Sequence, residues 1–298
     1  MRDRAYLLIA VAAAALAMQA AADDYTVEPP YCQILDGTRT PVYRVALGYT
    51  TAERFEGYDR SGLLELDADW QGAYFRDILW GNIDTAFGLR TALILDSVGL
   101  QLPDQLVGLW LRGRWTLRTI EGTAFRVGAR PGLYSDAEEL SGDGLYVPFH
   151  LAAIQSFSPE LSGIVGVEVR PGFDREFFPI AALAWQPSPL VRVEVGVPES
   201  RLEWSVAQYW TAHAGFLWNN ETFALREKGD YDRQSITVED YTGSVGVSYA
   251  VSDSVSIRFD LGRRWHRSVS FEKPADGLAQ DVDIDEGTFV RLAAVGPF

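Results

Sequence analysis

Apolar and charged side chains change places at every residue over stretch after stretch of this sequence, and that period of two constrains the fold more than any other feature. Val107, Leu109, Leu111, Trp115 and Leu117 alternate with Arg112, Arg114 and Arg118. Leu64, Leu66, Ala68, Trp70 and Tyr74 alternate with Glu65, Asp67, Asp69 and Gln71. Val191, Val193, Val195 and Val197 alternate with Arg192 and Glu194, and Val255, Ile257, Phe259 and Leu261 with Ser256, Arg258, Asp260 and Arg264. Successive side chains of a strand point to opposite faces, so each segment has one aliphatic face and one charged face. No helical period of any length competes with this pattern.

The alternating segments predict strands near 41–52, 62–75, 81–95, 105–118, 122–135, 145–157, 161–171, 176–186, 189–198, 201–207, 211–225, 236–251, 254–270 and 286–298. Compact connections such as Ser158-Pro159-Glu160, Pro187-Ser188 and Ser252-Asp253 alternate with longer polar ones. The longer ones are Arg54–Ser61, Asp96–Asp104, Asp136–Gly144, Arg226–Ser235 and Glu272–Asp285. Pro198-Glu199-Ser200 breaks the rule, because it is a very short connection where a long one is due. If 201–225 were a single bent strand, the count would fall from fourteen to twelve.

Hydrocarbon offers backbone amides no partners, so a membrane is crossed by helices or by closed sheets. No stretch of about 18 uninterrupted apolar residues follows the amino-terminal region. Most predicted strands have the 9–11 residues that a tilted crossing strand requires. These features together predict an all-β fold: one closed antiparallel transmembrane β-barrel over 41–298, with short turns at one end and longer loops at the other. Tyr74, Trp80, Trp185 and Tyr209 lie near compact turns, where an aromatic girdle sits at the headgroup level.

The chain ends suggest a compartment. Arg2 and Arg4 precede the apolar run Ala5–Met18 and the small residues Ala20-Ala21-Ala22, which reads as a secretory signal over 1–22. A polar leader over 23–40 follows and contains Cys32, which has no second cysteine to pair with. The last segment alternates Phe289, Arg291, Ala293 and Val295 against Val290, Leu292, Ala294, Gly296 and Phe298. A strand that ends on an aromatic resembles the closing strand of bacterial outer-membrane β-barrels. The segment 158–204 also resembles an uncharacterised family of such barrels, through Pro179, Ile180, Trp185, Pro187, Val197 and Pro198. The resemblance implies an outer-membrane location, contact with outer-membrane lipid, and recognition of the strand ending at Phe298 by the barrel-insertion machinery. Gly296-Pro297 before Phe298 departs from the usual ending. No oligomeric state follows from the sequence.

The charged faces collect Glu65, Asp67, Asp69, Arg90, Arg112, Arg114, Arg118, Arg126, Arg130, Glu168, Arg170, Arg192, Glu194, Arg258, Asp260 and Arg264, which we expect to line a lumen. The arginines of neighbouring segments would form a positive ladder, and Glu65, Asp67 and Asp69 an acidic row opposite. Such rows either polarise a water-filled path or pair with one another and brace the barrel. A net charge of −15, with Lys228 and Lys273 as the only lysines, disfavours nucleic acid as a partner.

His150, His213 and His266 are the only histidines, and no nucleophile-elbow pattern accompanies them. Asp281, Asp283, Asp285 and Glu286 form an acidic run that lacks the spacing of a calcium loop, and we expect a solvated acidic loop there. No cofactor or metal is called for. The leading expectation is a porin-like passive channel for small solutes. A closed structural or surface-interaction barrel is the alternative, and a membrane hydrolase a more distant one.

Overall fold

The computed structural model describes residues 42–54, 60–95, 103–119, 122–136, 144–225, 235–252, 255–272 and 281–297. The proposed signal segment 1–22, the leader 23–40 with Cys32, and Phe298 lie outside the described residues.

Strands follow one another along the described chain: β1 (Val42–Arg54), β2 (Arg60–Ile78), β3 (Gly81–Leu95), β4 (Gln105–Arg118), β5 (Thr123–Ala129), β6 (Gly132–Ser135), β7 (Leu145–Tyr146), β8 (Phe149–Ser156) and β9 (Leu161–Val169). They continue as β10 (Phe177–Ser188), β11 (Val191–Val197), β12 (Glu199–Ala207), β13 (Trp210–Ala224), β14 (Ser235–Ser252), β15 (Val255–Glu272), β16 (Asp281–Ile284) and β17 (Gly287–Pro297). Three staves of the wall are interrupted. β5 and β6 flank Arg130-Pro131, β7 and β8 flank Val147-Pro148, and β16 and β17 flank Asp285-Glu286. A proline has no N–H to give a ladder, which accounts for the first two breaks. The seventeen elements thus make a fourteen-strand barrel, closed where β1 meets β17 with Ala46 opposite Ala293.

β12 pairs with both neighbours, Leu202 lying opposite Val193 of β11 and Ala214 of β13, so 201–225 is two strands and the twelve-strand count is ruled out. The run beginning at Asp281 is a correction to the sequence reading. It is not wholly loop: Asp281–Ile284 pairs with Ser270–Arg267 of β15, and Val282 and Ile284 are buried. Alternation inside the acidic run, rather than its charge, decides the outcome.

The outer face is apolar. Leu109 and Leu111 on β4, Val245 and Val247 on β14, Phe259 and Leu261 on β15, and Val290 and Leu292 on β17 are all exposed. A water-bathed surface does not carry apolar area of this extent, whereas lipid makes the same area favourable. Trp80, 86% exposed in the β2–β3 turn, and Tyr209 in the β12–β13 turn mark the end of the barrel where β1 begins and β17 finishes. That end is termed the terminal end below, and the opposite one the loop end.

Candidate functional site

Cross-strand register gathers charged residues on one face of the sheet. Asp69 lies opposite Arg44 of β1, Asp67 opposite Arg90 of β3, and Asp84 opposite Arg114 of β4. Pairs of this kind bring side chains within reach on one face of a sheet.

Toward the loop end the charges pair across strands. Arg90 Nε donates to Asp67 Oδ1 at 2.7 Å, and its Nη1 lies 2.7 Å from Glu221 Oε2 on β13. Arg44 stands 3.9 Å from Asp67. Arg264 donates to Glu65 and lies 3.9 Å from Asp240. Glu168 takes Arg130 at 3.4 Å and Arg170 at 3.3 Å. The acidic row on β2 therefore does not face the arginine ladder as a bare opposing field: Glu65 and Asp67 are engaged by arginines from β15, β3 and β1. Pairs removed from water in this way require good geometry to offset desolvation, and the short contacts supply it.

Toward the terminal end the pairs lie mostly within a strand or between neighbours. Arg114 contacts Asp84 at 2.8 Å, Arg192 contacts Glu194 at 3.8 Å, and Arg201 contacts Glu203 at 2.6 Å. His213 Nε2 lies 2.6 Å from Asp260 Oδ1, and the same oxygen receives Arg258 at 3.0 Å. Arg126 donates to the Thr116 hydroxyl at 3.2 Å, and Arg112 lies 5.8 Å from the Trp110 ring centroid. The Arg118 side chain lies outside the described residues.

An apolar cluster spans the loop end. Leu106, Tyr134, Phe173, Phe223, Ile236, Val269, Phe271, Val282 and Ile284 pack together, with Tyr134 and Ile236 each only 1% exposed. Apart from Phe173 in the 170–176 connection, these residues come from opposite arcs of the wall, β4 and β6 on one side and β13 to β16 on the other. Main-chain contact joins the arcs: Ser135 of β6 bridges in parallel to Ala224 of β13, and the Asp136 amide donates to the Ala224 carbonyl at 3.2 Å. The 170–176 connection adds to the seam, because Arg170 Nη1 donates to the Asn220 carbonyl at 2.8 Å and the Asp174 amide to the Thr222 hydroxyl at 3.3 Å. It reaches β13 because the β11–β12 wall beside it stops at Val197 and Glu199, so that residues of β13 beyond Leu217 have no partner in β12.

Sequence reasoning did not single out Arg44, Asp84, Arg201, Glu203, Glu221 and Asp240. Their strand positions follow the same alternation as the residues it found, so the signal was present. The pairings join segments far apart in sequence, and these become neighbours only when the barrel closes. His213 is buried against Asp260. His266 lies on the outer face with its ring 5.6 Å from that of Tyr241.

No protein-family model matches this sequence, and no curated protein matches it. Among solved structures, the chain is similar to a KdgM porin at 8% identity and a TM-score of 0.36, over 86% of this chain and 99% of that one. It is similar to a NanC porin at 6% identity and a TM-score of 0.40, over 86% and 100%. It is also similar to a Pseudomonas aeruginosa FadL homologue at 11% identity and a TM-score of 0.46, over 87% and 90%. At such identities and scores, this chain's own residues must carry the functional reading.

Proposed function

We propose that this protein is an integral outer-membrane β-barrel that gives small solutes a path through a polar, arginine-rich lumen, and that the loop end is shut in the state described. The apolar outer face supports placement in lipid, and the barrel architecture supports the outer membrane as that lipid. In this reading the sixteen charged residues predicted from the sequence line the path, and the histidines carry no catalysis.

One observation carries the proposal. Inward side chains keep free surface beneath a closed apolar cap: Arg44 is 41% exposed, Arg201 34% and Arg90 30%, while the cap residues are almost fully buried. A barrel packed solid for strength would not leave that space. The loop-end cluster then acts as a hydrophobic constriction, which blocks ions by excluding water.

Planar-bilayer recording tests this reading. The wild-type barrel should be closed for most of the record, and Phe173→Ala combined with Phe223→Ala should give sustained ion conductance. Silence of that variant, in protein shown by heat-modifiable gel mobility to be folded, rejects the path. It would favour the second reading, a closed structural barrel, for which the Arg90–Glu221 contact across the lumen is the supporting observation.

A further inference from the structure

β4, β5 and β8 carry no carboxylate of their own. Arg112, Arg114 and Arg126 face the lumen on adjacent strands, with Thr116 opposite Arg126 and Gly128 opposite both Arg114 and His150. Cross-strand and diagonal neighbours on one face lie about 5–8 Å apart, close enough for several guanidinium groups to converge on one small ligand. Small residues surround them: Ala86 lies opposite Arg112, Ala152 opposite Arg126, and Gly166 opposite Ala152.

Two neighbouring carboxylates are already engaged: Asp84 holds Arg114, and Glu168 is shared by Arg130 and Arg170. Among the described residues Arg112 has no carboxylate within ion-pair distance, and its Nε–H is buried without a hydrogen-bond partner. A buried N–H without an acceptor is costly, and an oxyanion would supply one.

We propose that Arg112, Arg114 and Arg126, flanked by His150, form a subsite for a small soluble oxyanion, a phosphate, sulfate or carboxylate group carried by the solute. The inference rests on the solute-path reading and names the chemical class that the path selects. Arginine suits the task because its planar fork matches the geometry of such groups. The patch faces the lumen, so its ligand is a solute and not a lipid headgroup.

The test is binding of inorganic phosphate to the purified full-length chain in a zwitterionic detergent, read by phosphorus NMR line broadening at low salt. Saturable binding that sulfate displaces is expected. Arg112→Gln and Arg126→Gln should each weaken it by about ten-fold, the scale of one charge-assisted hydrogen bond. Asp84→Asn should tighten it, because a competing carboxylate is removed, and Arg263→Gln on the outer face should leave it unchanged. Absence of binding to wild type, equal binding by the two arginine variants, or weaker binding by Asp84→Asn overturns the subsite. Competition by phosphatidylglycerol doped into the micelles would assign the signal to a lipid headgroup and overturn it as well. If the arginine variants fail to fold, the direction of the Asp84→Asn effect decides. Phosphate binding by a barrel that never conducts keeps the subsite and rejects the path, whereas conductance without phosphate binding rejects the subsite alone.

Discussion

Arg90 on β3 and Glu221 on β13 meet at 2.7 Å, with β2, β1, β17, β15 and β14 lying between them around the wall. The contact therefore spans the interior and does not follow the perimeter. Arg90 also donates to Asp67 at 2.7 Å and to Asn219 at 3.3 Å, so a single guanidinium ties three strands together.

Replacing Arg90 with Ala leaves two interior carboxylates without their principal partner. We expect a loss of about 1–3 kcal/mol, the usual cost of an unsatisfied buried polar group. Asn at 221 should relieve part of it, so a cycle of Arg90→Ala and Glu221→Asn should show a coupling of about 0.5–3 kcal/mol. Urea unfolding in lipid vesicles, followed by tryptophan fluorescence, measures both. Strict additivity would mean that the pair contributes nothing.

Phe223 belongs to the loop-end cluster and is 4% exposed. Phe223→Ala should cost about 3–5 kcal/mol, the range for a large aromatic deleted from a packed core. Phe125, exposed on the outer face of β5, serves as the comparison. Its truncation removes lipid contact without opening a cavity and should cost less. The same unfolding assay ranks the two, and equal costs would mean that the cap is loosely packed.

Leu111 is 64% exposed on β4. On a water-bathed sheet Leu111→Arg would be nearly neutral, within about 0.5 kcal/mol. At the lipid midplane it should cost about 2–4 kcal/mol. Equilibrium folding into vesicles distinguishes these outcomes, and a neutral result would place β4 in water.

Gly88 lies beneath the ring of Trp110, where an added Cβ would fall inside the indole. Gly262 lies beneath Phe289 in the same way. Gly88→Val should force the ring aside and cost about 1–3 kcal/mol, as overpacking does. Thermal scanning by near-ultraviolet circular dichroism should show a lower midpoint and a changed tryptophan signal. An unchanged spectrum would mean that the ring sits elsewhere.

The wall of the barrel was legible in the sequence because its code is local. The alternation of Leu109 and Leu111 with Arg112 and Arg114 fixes a strand and its two faces without knowledge of any neighbour. The Pro198 hairpin was ambiguous for the opposite reason: so short a turn carries little composition of its own. The interior was only partly legible. The charged residues could be assigned to a face, but not to partners, since Arg90 with Glu221 and His213 with Asp260 are joined by closure of the sheet. The apolar cap was not foreseen. Its members, among them Tyr134, Phe173 and Val282, sit in short segments next to connections, where polar composition masked the alternation.

In the solute-path reading proposed above, the parallel bridge between Ser135 and Ala224 would make the loop end a zipper and not an iris. A ring of loops can dilate evenly, but two facing edges stitched by peptide groups part from one end. Exit would then be directional, beginning beside the short β11–β12 rim, where Arg170 and Asp174 fasten the last stitches to Asn220 and Thr222.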